Sequence, residues 1–228
     1  MSPKNFNAFV VGSTGEVGKA LIKELAKSPA YSNVTLIARK PIDLPKDDEV
    51  STYSKFRSKL VDFDKLSQNH AEDFKGYDVG FCALGTTRGA SGADGFVKVD
   101  HDYVMATGKL AKEGGCKHFN LVSAGEANKD SWLLYPKVKG EVEEEMKQLD
   151  FDRLTIWRPK VLIVDRVESR PIERFFRFVF GVFDRYRFLS IPVPTLAKVM
   201  ANQPLQSQTS KVEVLTNREI YHRGFEIP

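Results

Sequence analysis

FVVGSTGEVGKALIKELAK, residues 9–27, joins a short apolar run to a helical pattern through a turn that carries glycine at 12, 15 and 18. Phe9, Val10 and Val11 read as a parallel strand covered on both faces. Val17, Ala20, Leu21 and Leu25 recur at helical spacing, with Lys19, Lys23, Glu24 and Lys27 between them. The glycines therefore lie on a strand-to-helix turn. Gly12 permits the tight turn, Gly15 lets backbone approach a pyrophosphate, and Gly18 lets helix pack on strand, while the helix N-terminus supplies N–H donors. Ser13, Thr14, Glu16 and Val17 fill the same turn. The alternative is a glycine-rich turn without a ligand.

Beyond this turn, apolar runs alternate with helical patterns, which predicts an α/β fold with a doubly wound parallel sheet. Val34–Ala38, Lys59–Val61, Val79–Leu84, His118–Val122 and Leu154–Trp157 are the expected further strands. Tyr103, Met105, Ala106, Leu110 and Ala111 give a helix one apolar face, and Gly114-Gly115 should stop it. Residues 40–53, rich in Pro and Asp, read as a surface connection near the adenosine end of the crevice.

The chain has 228 residues, 42% of them hydrophobic, enough for a large core. No composition break divides it, so one domain is expected over residues 1–228, with 165–228 forming substrate-side C-terminal elements. Its 34 basic and 30 acidic residues are interleaved, and the net charge of +4 does not argue for nucleic acid. Cys82 and Cys116 are too few for a disulfide framework and read as buried small residues in a reducing compartment. The N-terminus lacks the pattern of a signal peptide, and no stretch is long and apolar enough to span a bilayer. The expectation is a cytosolic or nuclear protein without membrane association.

Chemistry at the end of the second strand separates two nucleotides. An acidic residue there holds ribose hydroxyls, whereas Arg39 and Lys40 suit a 2′-phosphate and so favour NADPH. A solvated basic strand end is the alternative. Asp62 and Phe63 offer an adenine a carboxylate and an apolar cover, unless Asp62 is an ordinary exposed loop carboxylate. After the fourth strand, small residues Ala83-Leu84-Gly85 let a cofactor pass, unless Gly85 is an ordinary turn glycine.

Ser123 follows the fifth strand, Tyr135 lies twelve residues on, and Lys139 comes four after Tyr135. Tyr-x-x-x-Lys on a helix puts both side chains on one face, where an ammonium would favour the phenolate and lower a pKa of about 10. Tyr135 is then a proton donor to a carbonyl, Lys139 its electrostatic partner and a ribose contact, and Ser123 the residue that orients the carbonyl. On its own the pattern also describes an ordinary helix surface.

Together these residues resemble the short-chain dehydrogenase/reductase superfamily, particularly its atypical members. The segments VGFCALGTTRGASGADGFVKVDHDYV, AKEGGCKHFNLVSA, YPKVKGEVE and FDRLTIWRPKVLIVDRVESRP are similar to the oxidoreductase family named for the HIV Tat-interacting protein. That resemblance implies a Rossmann-like fold and NADPH binding, with Thr14, Gly15, Glu16, Val17, Arg39, Lys40, Leu84, Gly85, Tyr135 and Lys139 at cofactor positions. It also implies that Leu162 and Arg170 close over the nicotinamide and phosphate end. Members are linked to apoptosis, transcription and importin-dependent nuclear transport, which implies regulatory protein partners such as nuclear-import factors. The resemblance does not clearly imply a reductase substrate, and the unknown small-molecule carbonyl compound is expected from Ser123, Tyr135 and Lys139 alone. A catalytically weak NADPH-binding regulator is thus the rival to an NADPH-dependent oxidoreductase.

The sequence departs from the family in three places. Pro136 requires the helix either to begin near Tyr135 or to bend there. Lys160 stands where many atypical members have glycine, so the nicotinamide pocket is expected to differ. The N-terminal extension of longer relatives is not present in this sequence. Farther on, Ile172, Phe175, Phe176, Val179, Phe180 and Phe183 trace an apolar helical face that reads first as core, next as a substrate lid or protein interface, and last as a membrane-surface contact. Ile191-Pro192-Val193-Pro194 suggests an extended lead-in to a short helix. The histidines have no metal-ligand spacing, and Asp100-His101-Asp102 would diverge on a helix, so no metal site is expected.

Overall fold

The computed structural model describes residues 5–44, 53–86, 88–163 and 189–227. The principal sheet contains β1 (Phe6–Val11), β2 (Tyr31–Ala38), β3 (Phe56–Leu60), β4 (Val79–Cys82), β5 (His118–Val122), β6 (Arg153–Arg158) and β9 (Val212–Thr216). Its order is β3-β2-β1-β4-β5-β6-β9, with each neighbouring pair parallel. A second sheet pairs β7 (Val161–Ile163) with β8 (Ser190–Pro192).

Strand alternation explains why β1 reads as a continuous apolar run. Ala8 and Val10 enter one hydrophobic layer and Phe9 and Val11 the other, so both faces are covered. The first layer packs Leu21 and Leu25 of α1 (Glu16–Lys27) with Leu196 and Met200 of α6 (Val193–Asn202) and Ile220 of α7 (Asn217–Glu226). The second packs Phe119 and Ile156 against Leu110 of α4 (Val104–Glu113) and Met146 of α5 (Leu134–Gln148). Each such large side chain removed from water contributes about 1.5–3 kcal/mol, which makes this double layer the main support of the sheet.

The strand order reverses between β1 and β4, which places a crevice outside their carboxyl ends. Between β3 and β4 the chain makes short helical turns, including α2 (Leu66–Asn69); α3 (Arg88–Val97) runs through a wide π-turn at Lys98–Tyr103 into α4. As expected, α4 ends immediately before Gly114-Gly115.

Several sequence expectations shift by a few residues. The third strand lies at Phe56–Leu60 instead of Lys59–Val61, because the sheet edge buries Phe56 while Arg57 and Ser58 remain exposed. Strand β9 was not anticipated; its first three residues are only half-buried at the other edge, which weakens the apolar signal. The lead-in to the short helix is β8 followed by α6, with Pro194 in the first turn of that helix. Ile42 and Leu44 pack on the first layer, whereas 45–52 of the proposed connection lie outside the described residues. The aromatic segment from Ile172 and Arg170 also lie outside them. Among the described residues no helix is long and apolar enough to cross a membrane.

Candidate functional site

Backbone geometry at the first turn forms a tight cradle. Gly12 has φ of +85°, and a Cβ there would run into the Ala83 carbonyl at the end of β4. Only glycine meets both conditions without strain. Gly15 is the N-cap of α1 and accepts the Lys19 amide at 2.9 Å, yet no side chain caps it. The Ser13 hydroxyl is buried without a hydrogen-bond partner. An orphaned hydroxyl beside a helix N-terminus suits the phosphate oxygens of a dinucleotide, because anions there gain both N–H bonds and the helix dipole.

Gly12, Ser13, Thr14, Ile37, Ala38, Arg39, Lys40, Phe63 and Leu84 line one cavity of about 350 Å³. The turn after β1 and the basic pair after β2 therefore face a common space large enough for part of a nucleotide. Glu16 begins α1 and pairs with Lys19 at 3.5 Å, while Val17 is buried against the core. Phe63 supplies the apolar wall. Asp62 instead caps the following turn, its carboxylate accepting the Asp64 amide at 3.0 Å.

At the other end, Gly85 lies beside Asp100 and Lys139; a Cβ there would stand 3.4 Å from the Asp100 carboxylate. Asp100 accepts the Thr86 amide at 2.7 Å and pairs with Lys139 Nζ at 2.7 Å. The π-turn aims Asp100 inward, while His101 contacts Asp102 and Glu145 on the outside. Such turns mark functional sites often, since the extra backbone width redirects a side chain. Adjacency thus separates Asp100 from His101 and Asp102, as helical geometry requires.

Helix α5 begins at Leu134, so Pro136 falls in its first turn, where its missing N–H costs no helical bond. This start resolves the choice posed by the sequence. Tyr135 is 46% exposed, and its ring lies 5.6 Å from that of Phe96. Burial, with the Asp100 and Glu126 carboxylates adding to it, raises the phenol pKa instead of lowering it. The Lys139 ammonium pairs with Asp100 at 2.7 Å, and that carboxylate raises the phenol pKa.

Ser123 sits at the carboxyl end of β5 and donates its hydroxyl proton to Glu143 at 2.5 Å. Glu143 also receives a fork of bonds from Arg158 at the end of β6, at 3.0, 3.1 and 2.5 Å. That contact raises the Arg158 pKa further above its ordinary value. Sequence reasoning missed Asp100, Glu143 and Arg158. The four-residue period that linked Tyr135 to Lys139 would have reached Glu143 with one more turn. Lys160 donates its backbone N–H to Asn217 and lays its side chain over Gly125. Leu162 lies in β7 opposite Ile191 and packs on the first hydrophobic layer.

Cys82 and Cys116 are free and buried, and burial pushes their thiols up to about 11 and about 12. Both are inert as nucleophiles at neutral pH.

A family described as NAD(P)H-binding matches residues 12–172. Rat protein HTATIP2 is 45% identical over 97% of this chain and 90% of its own length. The FMP52 protein of Debaryomyces hansenii, named mitochondrial, is 33% identical over 95% of this chain and 97% of its own. Other fungal relatives carry the same designation, so the expectation of a cytosolic or nuclear protein is overturned. It had rested on N-terminal composition, which does not decide the compartment.

Among solved structures, the oxidoreductase ylbE from Lactococcus lactis superposes with a TM-score of 0.68 at 20% identity, covering 97% of this chain and 96% of that one. MoeE5 in complex with UDP-glucuronic acid and NAD superposes with a TM-score of 0.69 at 14% identity, covering 92% and 76%. These likenesses show the Rossmann fold. With the sequence match over nearly its whole length, the chain belongs to the NAD(P)H-binding family matched over residues 12–172 and to the same family as HTATIP2.

Proposed function

We propose that the protein is an NADPH-dependent oxidoreductase acting on a small-molecule carbonyl compound. The observation that carries the reading is that Arg39 and Lys40 line the same cavity as Gly12, Ser13 and Thr14. Arg39 offers a planar fork and Lys40 a point charge to a 2′-phosphate, while Ser13 and the α1 N-terminus receive the pyrophosphate. Phe63 covers the adenine. When bound, the nicotinamide supplies the hydride. Tyr135 is a phenol, protonated at neutral pH at its ordinary pKa of about 10 and held more firmly so by burial, so it carries the proton that a carbonyl oxygen needs. Lys139, fixed by Asp100, contributes at the ribose end.

A second reading, an NADPH-binding regulator that turns over weakly and acts through protein contacts, is favoured by the same chemistry. Lys139 and Ser123 already have internal partners, Asp100 and Glu143. The two readings separate on NADPH oxidation with a panel of aldehydes, ketones and quinones, run on wild type and Tyr135→Phe. Oxidoreductase function requires wild-type turnover that falls about 10²–10⁴-fold in the variant while NADPH affinity is kept. Absence of wild-type turnover with NADPH still bound leaves the regulator.

A further inference from the structure

Tyr135, Lys139 and Glu143 follow one another at four-residue intervals along α5, and each meets a different neighbour. Tyr135 meets the Phe96 ring, Lys139 meets Asp100, and Glu143 meets Ser123 and Arg158. Glu143 is 0% exposed. Leaving a buried carboxylate without its partners is costly, so its hydrogen bonds are firmly held. Arg158 occupies both carboxylate oxygens, and the Ser123 hydroxyl approaches one of them.

A serine hydroxyl has one proton and two lone pairs. An ionised carboxylate can only accept, so the Ser123 proton is committed to Glu143 and lone pairs remain for any other neighbour. Ser123 follows the last residue of β5, at the carboxyl end of the sheet, and is 7% exposed, so the remaining surface of its hydroxyl is small. An oxygen with only lone pairs to offer repels a carbonyl oxygen and welcomes an O–H or N–H. This differs from the carbonyl-orienting role expected from the sequence.

We infer that Glu143, clamped by Arg158, is a positioning residue that makes Ser123 a hydrogen-bond acceptor. The group recognised beside it is then a donor, with a hydroxyl-bearing ligand as its chemical class. The inference rests on the oxidoreductase reading for the place of the ligand alone. In that setting Ser123 holds the alcohol product, or an alcohol substrate in the reverse direction, more firmly than the ketone.

Two probes that cannot exchange a hydride test this independently of turnover. Tert-butanol offers a hydroxyl but has no hydrogen on its carbinol carbon; dimethylacetamide offers a carbonyl and no N–H. Their dissociation constants are measured by ligand-observed NMR on the full chain, with and without NADPH. Wild type should favour tert-butanol by about tenfold, the worth of one hydrogen bond. Ser123→Ala should erase that preference.

In Glu143→Gln the amide oxygen would face Arg158, which only donates, and the amide NH₂ would face Ser123. The serine proton is then released and the preference should move toward dimethylacetamide. Should this variant fail to fold, the comparison of wild type with Ser123→Ala still decides. A wild-type chain that distinguishes neither probe, or Ser123→Ala that keeps the preference, overturns the inference. If the preference is found but no carbonyl compound is reduced, the oxidoreductase reading fails and the role of Glu143 stands.

Discussion

The carboxylate of Asp100 and the ammonium of Lys139 stand 2.7 Å apart, with side chains only 2% and 8% exposed. Asp100 also takes the Thr86 amide at 2.7 Å, so one carboxylate ties the loop after β4 to helix α5. The cofactor side and the tyrosine side of the crevice are joined through it.

Asp100→Asn should test that tie. The amide still accepts from Thr86 but leaves the buried ammonium without its counter-charge. A loss of about 3–5 kcal/mol is expected on urea unfolding, as for other buried pairs broken on one side. A loss below about 1 kcal/mol would mean that water reaches Lys139.

Arg39→Ala should remove much of any preference for NADPH over NADH. A charge-assisted bond is worth about 1.5–3 kcal/mol, so NADPH should weaken by roughly ten- to a hundredfold while NADH changes little. Fluorescence titration with both nucleotides measures this. Equal losses for the two would take the 2′-phosphate away from Arg39.

Gly12→Ala should damage the cradle before it damages the sheet. The added methyl meets the Ala83 carbonyl at a backbone φ of +85°. Strain of this kind costs about 1–3 kcal/mol, and relieving it displaces the turn that faces the nucleotide. Calorimetry should record nucleotide binding lost at temperatures where circular dichroism still reports a folded chain.

His118 should give the protein a specific weakness to acid. Burial, reinforced by the Arg153 charge, lowers its pKa from 6.5 to about 3, and its ring bonds Thr155 at 2.9 Å. The unfolded chain takes up this proton as pH drops below 6.5, while the folded chain resists until about 3. Stability attributable to this group is therefore complete above the unfolded pKa and falls through the interval by at most about 1.4 kcal/mol per pH unit. His118→Gln should flatten that part of the stability curve in denaturant titrations. An unchanged slope would assign the acid sensitivity to carboxylates.

Much of the nucleotide end was legible because its chemistry is local. Gly12, Gly15 and Gly18 are close in the chain, and a strand run followed by a helical period fixes their turn. Arg39 and Lys40 could be placed once β2 was recognised, since a strand must end at the same rim. Tyr135 and Lys139 were legible for a similar reason, as one helix turn separates them. Asp100 was harder: the sequence weighed it only as one letter of a discounted metal candidate, and the π-turn is what carries it inward to Lys139.

By itself, the sequence determined the alternation of the first six strands of the principal sheet with helical segments, the glycine turn and the basic strand end, because these depend on neighbours in the chain and on apolar periodicity; the edge strand β9 escaped it. The tertiary structure decided the protonic roles. Lys139 faces a carboxylate from another helical segment, and Ser123 gives its proton to a glutamate twenty residues away, itself held by an arginine on the next strand. Such charges and hydrogen bonds act over a few ångströms in space. Sequence spacing names the groups, whereas packing decides which of them meet and which atom donates.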